Sequence, residues 1–425
     1  MASNRWLGSA SPVAQVDSIV IGGSWATSDT VTVTIGQKTC TYTVGGTTST
    51  TTIASGLQTA LAALTQQYYP EFFKITWAVN SSTITATAKT AGVPFTITVT
   101  KSSTSGTAVR SATTANSGPN DASVAKNWST GATPASGDDL VFEGNTADCL
   151  YGLNLTAVDP ASITVKQSYT GKIGLPVVNT SGSASYVEYL PTYLAFDGAG
   201  SITVTIGDGP GAGSGRIKID TGGLTATVIV NGTGTPAETN LESFLWKGTD
   251  SSNTLTATRG SVGVAVFQGE TATLSTIKIG QQKNAASDVS VRLSDGVTVS
   301  GAVEQNGGNL TTYASLGSTV TKWAGNLYLL GSAAVTGAVK NWGGNFYHGS
   351  SGTLGSTVAN KGTYSRAFGA VSGATITGLV SLYPGSTWLD PLKKLTYTAG
   401  LKLVGCRVKD LGELDIGTDA NLAVS

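Results

Sequence analysis

The sequence predicts a mainly β protein: a small N-terminal β-rich domain with one helix, followed by a parallel β-solenoid. Three observations lead there. Thr and Ser alternate with Val, Ile and Leu along most of the chain, the period of half-buried strands. Gly supplies 55 of the 425 residues and breaks those runs at turn spacing. Between 288 and 388 the breaks become periodic. QNGGNLTTY, KWAGNLYLL and NWGGNFYHG align on Asn309, Asn326 and Asn345, 17 and 19 residues apart. Repeats of about 20 residues with two or three short strands each are the mark of a solenoid, whose rungs bury their apolar residues only by stacking. Repeated β-sandwiches are the alternative architecture.

Taken in order, residues 1–16 read as a polar docking arm, with Trp6, Leu7, Pro12 and Val13 as candidate partner contacts. Residues 17–112 read as one compact domain, β-β-β-α-β-β-β. IVIGGSW, TVTVTIG and KTCTYTVGG alternate as strands, and Ile53, Leu57, Leu61 and Leu64 then fall on one helical face before Pro70. KITWAV, STITATAK and PFTITVT return to alternation. A Ser/Thr/Gly-rich stretch, 102–120, reads as linker, so 113–138 is linker plus a turn-rich cap in which Trp128 covers the end of the second region. Residues 139–425 are the solenoid, its rungs longer and less regular upstream of 287. A charged C-terminal segment closes the last one. In the periodic part Asn and Gly recur at the same turn, where they suit left-handed backbone angles and can stack as ladders.

Composition narrows the function. Lys plus Arg equals Asp plus Glu at 25 each, and only 12% of residues are charged. That leaves no electrostatic footprint for nucleic acid or an anionic membrane. No apolar run approaches the length of a membrane span. Cys40, Cys149 and Cys406 are too few and too scattered for a disulfide framework or a zinc site. MASNRWLGSASPVAQV lacks the charged-then-apolar layout of a secretory leader, so the expectation is assembly in a cytoplasm and release as part of a particle.

Candidate chemistry is sparse, and no catalytic, cofactor or metal residues are expected. GDGPGAGSG, 207–215, leads into a strand and lacks the Gly-Lys-Ser/Thr ending of a phosphate loop, so a turn is expected. Asp138, Asp139, Glu143 and Asp148 form the densest acidic group. Neighbours on a strand point to opposite faces, so turn and cap roles are expected. His348, the single histidine, has no G-x-S-x-G elbow to serve and is placed at the surface or a rung edge. Trp323, Trp342 and Tyr347 are weak glycan-stacking candidates, with inter-rung stacking the larger expectation.

The segment NSGPNDASVAKNWSTGATPASGDDLVFEG resembles one that follows a Thr-rich N-terminal domain in β-rich virion structural proteins of tailed phages and in some planctomycete-type bacterial proteins. The opening NRWLGSASPVAQV and the strand pair GGSWATSDTVTVTIG are similar too, so the resemblance spans 1 to roughly 155. It implies a non-enzymatic virion protein, first a capsid decoration (cement) protein that binds the major capsid protein. A homo-oligomer is expected, most simply a trimer. The alternatives are a tail fibre or tailspike that binds or cleaves host glycans, and a bacterial surface adhesin.

Overall fold

The computed structural model describes residues 3–281, 288–366, 373–391 and 394–405, and by backbone alone the strands Glu413–Asp415 and Leu422–Val424. The protein is mainly β, with long parallel sheets and, among the described residues, one α-helix.

From Asp139 the chain winds into a three-faced parallel solenoid. On the first face Ile163, Val204, Val228, Leu255, Ile277 and Val303 sit in register, each paired with the next. On the second face the succession is Ile219, Trp246, Val264, Leu293, Thr312, Leu329 and His348. The third face is narrower, and through its middle only single residues pair: Val299, Leu316, Val335, Leu354 and Ile376. Alternation sends every second residue of each strand inward. The inward set makes one continuous core from Trp6 to Leu403, built of residues that no single rung could bury.

The corner between the first two faces explains the Gly-Asn repeat. Gly308, Gly325 and Gly344 have φ of 67°, 77° and 69°, and a Cβ on Gly325 would lie 2.1 Å from the Gly308 carbonyl oxygen. Glycine therefore meets both the backbone angle and the rung spacing. The Asn residues after these glycines are extended, and their side chains form the ladder: Asn345 Nδ2 donates to Asn326 Oδ1, and Asn326 Nδ2 to Asn309 Oδ1, both at 2.9 Å.

The N-terminus departs from its expected role. Ser3–Arg5 pairs in parallel with Asp139–Phe142 and forms part of the first rung. Trp6 is fully buried, its indole N–H donating to the Ala147 carbonyl at 3.0 Å and its ring edge-on to Trp128 at 5.2 Å. The arm is thus a solenoid strand, because an apolar ring of that size is worth more closing the open rung than in water. Leu7, Pro12 and Val13 remain exposed. The N-terminal domain is consequently inserted between the first strand of the solenoid and the cap that covers it.

That domain has two antiparallel sheets. One is ordered Ile75–Asn80, Thr83–Ala88, Val16–Gly23, Gly106–Thr114; the other is Lys38–Thr43, Thr30–Ile35, Thr98–Lys101. The helix Thr50–Ala62 is capped by Ser49 and buries Ile53, Ala54, Leu57 and Leu61 beneath them; Leu64 lies beyond its end. Gly106–Thr114 corrects the linker reading. Ser- and Thr-rich as it is, it pairs along the whole of Val16–Gly23. Arg110 also gives the fully buried Asp17 its counter-charge, with Nη2 2.7 Å from the carboxylate. The outward face of the three-stranded sheet is almost wholly threonine: Thr30, Thr32 and Thr34 lie opposite Thr43, Thr41 and Thr39, with Thr98 and Thr100 alongside.

Candidate functional site

Three groups of side chains carry enough chemistry to be candidate sites: the aromatic ladders, the histidine cluster and the charged flank of the solenoid.

Tyr328 and Tyr347 are paired residues of adjacent rungs, stacked with centroids 4.8 Å apart and planes within 12°. Trp323 and Trp342 follow one another at the neighbouring corner, 6.3 Å apart, with Tyr383 edge-on to Trp342 at 5.5 Å. All of these rings are half-buried. A pyranose stacks on an open ring face, and the facing sides of Tyr328 and Tyr347 are taken up by each other. Each of these half-buried rings packs against a ring of another rung, so inter-rung packing is the work the geometry shows.

His348 is not at a surface. It takes the inward position that Leu329 holds in the preceding rung and is fully buried. Nδ1 lies 2.7 Å from the Tyr364 hydroxyl and Nε2 3.1 Å from Ser350 Oγ, which donates its own proton to the Ala333 carbonyl at 2.7 Å. That last bond settles the tautomer: Nε2–H donates to Ser350, and Nδ1 accepts from Tyr364. A catalytic base would have to accept from the serine, so this Ser-His pair runs the wrong way for nucleophilic attack. Burial, reinforced by the nearby Arg366, lowers the imidazole to about 3 and keeps it neutral. Arg366 Nη1 in turn donates to the carbonyls of His348 and Ser350. The cluster ties three successive rungs from within.

One rung corner away, inward polar residues form a second ladder. Gln305, Lys322, Asn341 and Asn360 occupy the same register on the first face, all buried. Each donates to backbone carbonyls at the corners: Gln305 to Gly308 and Asn326, Lys322 to Gly343, Asn341 to Thr363, Asn360 to Gly362. Burial lowers the Lys322 amine to about 7.

The acidic group behaves as a set of turn and cap acids. Asp138 accepts from Ala135 N, Asp139 from Ser162 Oγ and Asp148 from Lys172 N, while Glu143 bridges Arg5 and Lys166. GDGPGAGSG is the turn between Ser201–Ile206 and Ile217–Asp220, held by Asp208 and Gly211 to Gln167. The remaining landmarks of NDASVAKNW are structural as well. Asp121 Oδ1 accepts from Ser123, and Asn127 joins Ala10, Gly118 and Asp121.

The charged flank carries no motif and is invisible in the sequence. Lys218 points away from the core yet is fully covered, with Glu238 3.7 Å away and its ammonium 5.2 Å from the Phe267 ring centre. Burial lowers its amine to about 8, with Glu238 opposing. Lys247 lies 3.4 Å from Asp220 and 3.6 Å from Glu270, which also accepts from the Tyr193 hydroxyl. These pairs fasten the long inserts between the upstream rungs to the solenoid wall. No cluster able to hold a metal ion occurs among the described residues. The charged C-terminal segment and Cys406 lie largely outside those residues, whereas Cys40 and Cys149 are buried free thiols. Comparisons with protein-family models, curated proteins and solved structures find no match to this chain.

Proposed function

We propose that the chain is a non-enzymatic structural protein of a phage virion, a decoration protein that binds the major capsid protein and covers or stabilises the head. The observation that carries the structural part is where the chain spends its chemistry. His348, Lys322, Lys218 and the acids around 138–148 all hold backbone or neighbouring rungs. Long parallel ladders also supply the rigidity such a covering needs. The virion part rests on the resemblance of residues 1 to roughly 155. In this reading Leu7, Pro12 and Val13, exposed beside the capped end, are the contacts with the capsid, and Trp6 supports them from beneath. Copies associate as a trimer.

Mass spectrometry and cryo-electron microscopy of purified particles test this. The expected result is many copies on the head, lost when Leu7 and Val13 are replaced by Glu. Absence from particles, or a few copies at the tail tip, overturns it.

A further inference from the structure

We propose that the crevice between the N-terminal domain and the solenoid is a binding site for a neutral oligosaccharide. Three segments remote in sequence enclose it: the turn at 36–38, the loop at 67–71 that follows the helix, and the solenoid hairpin Val178–Ser181/Ala184–Val187 with the residues leaving it. The crevice measures 480 Å³, within the range of about 300–1,000 Å³ usual for small-ligand sites, which favour domain junctions.

Its walls are fixed before any ligand arrives. Gln66 Nε2 donates to the Ser181 carbonyl at 2.7 Å, and Lys74 Nζ donates to the Tyr186 hydroxyl. Gly182 at the hairpin tip has a φ of 61°, a left-handed angle that glycine adopts without strain.

The lining has the chemistry of a sugar site. A pyranose presents apolar C–H faces and a girdle of hydroxyls, so it needs an open aromatic face together with fixed donors and acceptors. Tyr68 stands at the mouth with 63% of its surface in water, and Tyr186 and Tyr189 form the inner wall. The amides of Gln37 and Gln67 stand exposed on the opposite side. Glu71 is only 4% exposed, and its Oε2 accepts no hydrogen bond. That oxygen is shut off from the crevice as well as from water, so Glu71 backs the wall, and the exposed amides of Gln37 and Gln67 are the groups a sugar hydroxyl meets. Of the charged residues in the lining, Lys38 and Glu188 are the ones open to water, one of each sign, which suits a neutral ligand. The site is independent of where the protein sits on a particle.

Isothermal titration of the full chain with neutral tetrasaccharides of glucose, galactose and N-acetylglucosamine tests it, with oligogalacturonate as the anionic control. The expected result is binding of a neutral series, weakened about tenfold or more by Tyr68→Ala and by Gln67→Ala. Trp342→Ala should leave it unchanged. Tyr68 is exposed, so its variant keeps the thermal midpoint and separates lost binding from lost folding. The proposal is overturned if no neutral saccharide binds at millimolar concentration, if only the anionic control or only a peptide binds, or if binding survives both crevice variants.

Discussion

Two buried bases make stability depend on pH in a defined direction. The His348 imidazole is lowered to about 3 in the folded protein from its ordinary 6.5. Between those values the unfolded chain takes up a proton that the folded chain refuses, so stability falls as pH drops from about 6.5 toward 3. Lys322, lowered to about 7 from 10.5, acts likewise at higher pH: the unfolded chain keeps a proton the folded chain has lost, and stability rises from about pH 7 to 10.5. Thermal midpoints across both windows check this. His348→Leu should flatten the acidic limb while lowering the midpoint, since Tyr364 loses its acceptor. Lys322→Gln, the residue one rung earlier, should flatten the alkaline limb at little cost. Neither placement was legible locally. The turn around Asn345 marked a rung, but whether position 348 faces in or out depends on the register, which Leu329 and Thr312 set from the rungs before it.

At the scale of the rung corner, glycine and asparagine contribute unequally. Gly325→Ala would put a side chain at φ 77° and against the Gly308 carbonyl, combining backbone strain of about 1–3 kcal/mol with a steric clash. Asn326→Ala removes two side-chain hydrogen bonds at a half-exposed position and should cost about 1 kcal/mol. Denaturant titration of the two variants should place the glycine substitution well below the asparagine one; equal losses would mean that the ladder, not the corner, holds the rungs together. Elements of this kind were readable because each rung repeats the demand. The strand Gly106–Thr114 was not, since its GTAVRSATT run shares its composition with a linker, and only the pairing with Val16–Gly23 and the buried Asp17 make it a strand.

The molecule as a whole is closed at its upstream end by its own first residues. Trp6, Trp128 and Phe142 pack with ring centroids 5.2 to 6.0 Å apart, bringing together residues on either side of the inserted domain. Trp6→Ala should cost about 3–5 kcal/mol. Deleting residues 1–8 should leave the first rung's edge open and the chain prone to edge-to-edge association, visible as higher oligomers in size-exclusion chromatography. A monodisperse deletion variant of unchanged stability would show that the strand Ser3–Arg5 does not close the solenoid.

By itself the sequence determined the solenoid, the Asn309–Asn326–Asn345 register, the helix and the role of the acids as turn residues. All of these are written in local period and turn chemistry, which depend on neighbours within about 20 residues. The tertiary structure alone decided that Trp6 caps a rung, that His348 is core, that Lys218 and Lys322 are buried, and that Tyr68 and Glu71 share a crevice with the hairpin around Gly182. Each of those depends on contacts between segments far apart in the chain. Alternation tells a strand which residues share a face, but the partner that covers that face is set by long-range packing.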